Sequence, residues 1–454
     1  MIFRKRPEWA VGAAATLASW LALAVPAQAD IVTDWSAVAS DVVRQISAPG
    51  ASLPGSTSES ERSPAYGIDM ATFQVSLYDT IVAFKGGYDS FAAAPDKVKR
   101  GASMEAATNE AAYTVLSKLF PSKSATYLPV YDSKMAALVA QGVSAKSIAD
   151  GRAVGLDVAT QILALRSSDG RLTPLPLFVN GTLPGEYVSP NPAGVVGRSN
   201  AFVRPFTMSS ASQFRPNAPP PLNSLRYARD FWETKTLGGP DATSLRTAEQ
   251  DNLAKFLTGG PPGFWTRNLI QFADYPRVID NARFLAALWV AHADATIGCF
   301  EAKYYYKAWR PFTAIPAGAS DGNALTLADP AWTPNEPTPN HPEYPSGHSC
   351  ISGASFGAIS LLKGTTKIDF TLTETIPGLS PNSLTYHDTL DFIADVMDGR
   401  VLGGMHFRFA NEAGLGLGTN VARQVLRYSF RKDRDDDHDH GHGHGYGHDK
   451  DRRD

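Results

Sequence analysis

The 454-residue sequence predicts an all-α protein, in which helical bundles are joined by long Pro/Gly-rich loops. Three observations carry that expectation. Apolar residues recur at three- and four-residue spacing through most of the long segments, as in helices that bury one face. Alanine is frequent on those faces, which suits close helix packing. Period-two alternation, the mark of a half-buried strand, is scarce.

From residue 30 to about 168 the pattern is mostly helical, and segments 67–84, 103–120 and 144–165 read as bundle helices. The texture then changes to Pro, Gly, Ser and Asn over 169–222, a stretch too long for an ordinary connection. Because it still holds Phe178, Phe202, Phe206 and Phe214, it is expected to wrap over the body and roof a pocket. Helical spacing returns at 242–257 and more strongly at 278–309, where Pro311 is expected to end the helix. A loop rich in Pro, Asn and Thr, 317–344, leads into a helix expected at 346–362. The last helices are expected at 387–402 and 410–430.

A net charge of −3 with 19% charged residues excludes a nucleic-acid footprint, and 43% hydrophobic residues exclude a disordered chain. Residues 1–29 read as a secretory signal peptide: Arg4, Lys5 and Arg6, an apolar run from Ala10 to Val25, then Ala27-Gln28-Ala29 before Asp30. The protein is therefore expected in the periplasm or outside the cell. That run is shorter than the roughly 20 residues a span needs, and no later segment is long and apolar enough, so no transmembrane span is expected. Residues 431–454 repeat Asp, His, Gly and Arg and are expected to be disordered, with at most loose divalent-metal affinity.

Three short motifs near the C-terminal end carry the chemistry. Lys303 and Arg310 lie seven residues apart, which at about 3.6 residues per helical turn returns to nearly one face and aims two cations into one pocket. Pro345-Ser346-Gly347-His348 places a hydroxyl, a side-chain-free amide and an imidazole where a loop enters a helix N-terminus, a ready oxyanion site. Arg400 is followed across Gly403-Gly404 by His406, which could attack or ligate a central atom. Together these residues suit a pentavalent oxyanion, whose equatorial charge needs several preorganised donors. His348 would face the opposite apex as acid/base. Cys299 and Cys350 flank the first two motifs, and the sequence leaves open a bridge or two buried thiols. His292 and Asp294 read as interior polar residues, Asp294 with the option of pairing a motif arginine. Glu343 is expected at the pocket rim, and Lys307 at the surface.

At these residues the chain resembles the family of type 2 phosphatidic acid phosphatases and vanadium-dependent haloperoxidases. The family signature is Lys-x6-Arg-Pro, Pro-Ser-Gly-His, and Ser-Arg-x3-Gly-x-His-x3-Asp. The first two are complete here; in the third, Gly399 replaces the Ser and Ala410 the Asp. In the family's phosphatases that Asp orients the nucleophilic His, as the third group does in hydrolytic triads. Ala410 cannot, so Asn411, Glu412 or a backbone carbonyl is expected to hold His406, and the loss leans toward the haloperoxidase branch. Long helical material before the motifs leans the same way, toward two packed four-helix-bundle-like halves. So does His341 in His-Pro-Glu-Tyr-Pro-Ser-Gly-His, similar to bromoperoxidases, although a loop histidine can simply cap or pack.

The resemblance implies four regions: 1–29 signal peptide, 30–289 N-terminal helical region, 290–430 catalytic helical region, and 431–454 tail. It implies halide oxidation by hydrogen peroxide, bromide favoured over chloride, with vanadate as cofactor. Lys303, Arg310, Ser346, Gly347 and Arg400 would hold the vanadate, His406 would ligate it, and His348 and His341 would manage protons. The runner-up is an acid phosphatase acting on a phosphate ester through a phosphohistidine. A secreted oxyanion- or metal-binding helical protein is the reading from another class.

Overall fold

The computed structural model describes residues 30–433, apart from 48–51, 64, 96, 260, 377, 378 and 380. The expected signal peptide and His-rich tail lie outside the described residues. The first half holds α1 (Ile31–Ser47), α2 (Glu59–Arg62), α3 (Tyr66–Lys85), α4 (Met104–Leu119), α5 (Ser124–Ala140) and α6 (Ala145–Arg166). After a long irregular stretch come α7 (Leu225–Leu237), α8 (Ala248–Phe256) and α9 (Pro261–Asn268). The second half holds α10 (Val278–Tyr306), α11 (Pro311–Ala314), α12 (Gly347–Lys363), a hairpin of β1 (Phe370–Thr373) and β2 (Ser383–Tyr386), α13 (Thr389–Leu402) and α14 (Arg408–Tyr428). The all-α expectation holds: that antiparallel hairpin is the sole sheet among the described residues.

The ends of these helices follow from side-chain chemistry. Ser103 and Ser144 accept the N–H groups of Ala106 and Ser147, Thr247 forms a capping box with Gln250, and Asp388 accepts from Leu390. The capping box explains why α8 starts at Ala248, later than the expected 242. Two helices were hidden by local signals. α5 contains Pro129 in its interior, and α7 follows the Pro219–221 run. The hairpin strands do alternate, Phe370 and Leu372 inward against Leu384 and Tyr386, but over four residues each.

Helices α1, α3, α4, α5 and α6 form one bundle and α10, α12, α13 and α14 the other, joined along the α3–α10 seam. One hydrophobic cluster runs through both, so the halves share a core. α10 is buried almost all round from Ile279 to Lys303, which is why its apolar residues show no single stripe. Within it Asp294 accepts the N–H groups of Phe206, Thr207 and Met208, and so anchors the irregular stretch; it pairs with no motif arginine. His292 is a satisfied interior residue, bonded to Ser355 and Tyr66.

α12 and α14 approach closely: a Cβ on Gly418 would lie 2.0 Å from the Cys350 carbonyl oxygen. Gly418→Ala is therefore expected to push the helices apart and cost about 1–3 kcal/mol, read as a lowered urea midpoint with unchanged slope. Cys299 and Cys350 are disulfide-bonded, Cα atoms 6.3 Å apart, which ties α10 to the first turn of α12.

Candidate functional site

The first motif is not on one helix. α10 stops at Tyr306, Lys307 takes a left-handed conformation as its C-cap, and Arg310 sits in extended backbone as the N-cap of α11. Lys303 and Arg310 still converge, because the break at Lys307 turns the chain back toward the second motif. Both are fully buried, whereas Lys307 is exposed. Lys303 Nζ donates to the carbonyls of Pro342 (2.9 Å) and Glu343 (3.1 Å). Arg310 spends its fork on the carbonyls of His341 (2.8 Å) and Met405 (2.8 Å), on His341 Nδ1 (2.9 Å) and on His406 Nε2 (3.0 Å).

Ser346 caps α12 without a side-chain bond to a helix N–H; its Oγ accepts from Ser349 Oγ at 3.3 Å, and its own N–H is held by the Ala410 carbonyl at 2.9 Å. The first-turn N–H groups that begin at Gly347 have no acceptor within the helix, and they end in positive partial charge. A Cβ on Gly347 would meet only Lys303 Cε, at 3.7 Å, so the bare residue keeps open the space between helix end and ammonium. His348 follows, half-buried, with no hydrogen-bond partner for its ring among the described residues.

The third motif is folded back by glycine. Gly404 has φ +71°, and a Cβ there would come within 2.2 Å of the Gly238 carbonyl oxygen. The turn lets the Arg400 carbonyl accept the N–H groups of Met405 (3.0 Å) and His406 (3.2 Å), which brings His406 beside the arginine. Arg400 donates to the Leu257 carbonyl at 2.7 Å and contacts the Met405 sulfur, while its buried Nε has no partner.

Neither residue expected to hold His406 does so. Asn411 binds Ser349 and the carbonyls of Met397 and Phe407, and Glu412 pairs with Arg226. The partner is Glu343, which is fully buried and not at the rim. Its Oε1 accepts the Phe407 N–H at 2.8 Å and its Oε2 lies 2.9 Å from His406 Nδ1, off the line of a straight hydrogen bond. The signal was present three residues before Ser346, as a lone carboxylate among prolines, but the contact joins positions 63 apart and no spacing rule reaches it.

The electrostatics are those of an anion site. Three buried cations, Lys303, Arg310 and Arg400, face a single fully buried carboxylate, Glu343; half-buried Glu336 stands further out beside Arg400. Burial, then mutual repulsion, pushes Lys303 well below its ordinary range and Arg400 down to about 9. Burial pushes Glu343 up to about 7 against the pull of Arg310. His341, His348 and His406 are all driven well below the usual imidazole range by burial and the nearby cations, and so are neutral at neutral pH. Excess buried positive charge, an unpaired Arg400 Nε and open helix N–H groups fit a tetrahedral or pentavalent oxyanion such as vanadate.

Tyr187 and Val196 of the 169–222 stretch bond to the loops of this site, whereas Phe206 packs against Phe91 and Arg166 and Phe202 is exposed. The Tyr187 N–H bonds to the Lys307 carbonyl and its hydroxyl to Asn340, Val196 N–H bonds to the Asn340 carbonyl, and Phe300 meets the edge of His341.

Residues 283–432 match the sequence profile of the family described as the VCPO second helical-bundle domain. Over those residues the chain is similar to that family. No curated protein sequence matches it significantly. Among solved structures, the chain is similar to the first bacterial vanadium-dependent iodoperoxidase: 22% identity, TM-score 0.68, covering 88% of this chain and 96% of that one. It is also similar to a bacterial vanadium-dependent chloroperoxidase in its holo form, with 16% identity, TM-score 0.62 and coverage of 80% and 90%. At these identities the likeness shows a shared fold over nearly the full length of each relative.

Proposed function

We propose that this chain is a vanadium-dependent haloperoxidase that uses hydrogen peroxide to oxidise halide, bromide in preference to chloride. Lys303, Arg310, Ser346, Gly347 and Arg400 would hold vanadate, and His406 would ligate it. The carrying observation is the charge imbalance just described, three buried cations against one buried carboxylate around a neutral imidazole at an open helix end. The fold shared with vanadium-dependent peroxidases supports the choice of chemistry. The proposal includes export, which the Cys299–Cys350 bridge supports by its preference for an oxidising compartment.

Bound vanadate supplies a pentavalent Lewis acid for peroxide. The chain's residues do the rest. Lys303, Arg310 and Arg400 would hold the oxyanion's negative charge in a buried site, where each contact counts for more than at a surface. Ser346 Oγ and the Gly347 N–H add neutral donors. His348, neutral and without a hydrogen bond to its ring among the described residues, would take or give a proton. His341, oriented by Arg310 and by Phe300, is the second proton carrier and the residue through which bromide is favoured.

One observation keeps the acid phosphatase reading in play: Glu343 gives His406 the acidic partner that Ala410 lacks, so the argument against a nucleophilic histidine loses force. Purified protein loaded with vanadate is expected to brominate a phenolic dye with peroxide and bromide, faster than with chloride. Hydrolysis of a phosphate ester is expected to be negligible without vanadate. Ester turnover with no bromination sinks the peroxidase reading. Oxyanion binding with neither activity leaves a binding protein.

A further inference from the structure

Arg310 bonds Nε2 of His406, Glu343 Oε2 stands 2.9 Å from Nδ1 off the line of a straight hydrogen bond, and the two together bias where the ring proton sits. A guanidinium has donors only, so Nε2, 3.0 Å from Arg310 Nη1, must present its lone pair. A neutral ring then carries its proton on Nδ1, which faces Glu343 Oε2 at 2.9 Å. Glu343 cannot swing away, because its other oxygen accepts the Phe407 N–H one residue beyond His406. The acid is reached from the second motif, and it stands where the third motif has only Ala410. Nothing else among the described residues approaches Nδ1.

We propose that Glu343 is the positioning residue of this site, holding His406 as the Nδ1-protonated tautomer so that the Nε2 lone pair, which accepts from Arg310 in this structure, is the one presented to an oxyanion's central atom. The inference takes from the proposed function only that Nε2 meets the anion. It makes an unusual demand on the isosteric variant. Glu343→Gln keeps size and shape, yet the Phe407 N–H requires the amide oxygen on its own side, which turns the amide NH2 toward Nδ1. The ring would then have to accept at Nδ1 and carry its proton on Nε2, against the Arg310 donor. Glu343→Asp keeps an acceptor there and is expected to preserve the tautomer.

The measurement is made on protein free of vanadate and halide, with 15N-labelled histidine, assigning the His406 ring nitrogens by difference against His406→Gln. The expected result is a protonated Nδ1 and a bare Nε2 in the parent and in Glu343→Asp, with the assignment reversed or mixed in Glu343→Gln. Equilibrium dialysis of vanadate is expected to show affinity reduced about 10- to 100-fold in Glu343→Gln and less than that in Glu343→Asp. A parent spectrum with the proton on Nε2 overturns the proposal without any variant. An unchanged tautomer in Glu343→Gln overturns it too. Because this readout needs no turnover, it stands or falls separately from the bromination assay.

Discussion

His406→Ala is expected to lower bromination by more than about 1000-fold in kcat, roughly 4 kcal/mol of activation free energy. The imidazole is buried beside a cluster of three buried cations and bonded to Arg310 through Nε2, the nitrogen proposed to meet vanadate. Removing it also strands Glu343, whose Oε2 would then face Arg310 alone at 3.8 Å. That contact strengthens as the ring leaves, so the fold is expected to survive, with a melting temperature close to the parent's. Steady-state kinetics in excess vanadate separate the two losses. Activity recovered at high vanadate means His406 contributes affinity only; activity lost at every concentration means it is needed for turnover. Retention of more than a tenth of the parent rate would show that the histidine is not part of the reaction.

The second large effect is expected at Arg310. Arg310→Lys keeps the positive charge but loses the fork, and the fork reaches Met405, His341 and His406 together. A lysine has a single nitrogen and can serve one side of the site. The prediction is a fall of about 100-fold in kcat/KM, near 2.7 kcal/mol, larger than any change in thermal stability accounts for. The comparison variant is Lys303→Arg, where the charge is again kept but the carbonyls of Pro342 and Glu343 accept from a single nitrogen. If Arg310→Lys were near neutral, bidentate geometry would be irrelevant, and the site would be only a basin of positive charge.

Much of this was readable from the chain, and the parts that were not have physical reasons. Helical spacing found α3, α4, α6, α10, α12, α13 and α14 within a few residues, because long buried helices repeat their apolar positions many times. It missed α7 and the hairpin, where the repeat is short. The expectation that Lys303 and Arg310 share a helical face gave the right convergence through the wrong path: the helix ends at Tyr306 and a left-handed Lys307 redirects the chain. Ser346 and Gly347 were legible because a capping position is a local property. Glu343 was not. Its importance lies in a contact between two loops, and the sequence shows only which residues stand next to each other along the chain. The same is true of Asp294, whose carboxylate is consumed by three N–H groups from a segment almost 90 positions away.

The disulfide divides the site in a way that has consequences for ligand binding. The bridge closes a ring with a sequence separation of 51, and Lys303, Arg310, His341, Glu343, Ser346, Gly347 and His348 all lie inside it. Arg400 and His406 lie outside. Seven of the nine groups thus belong to one covalent hoop, while the other two lie further along the chain and meet it in the site through packing and hydrogen bonds. An oxyanion held by both sets becomes a removable clasp between hoop and free turn, and its binding energy adds to the cohesion of α13 and α14 with the rest of the bundle.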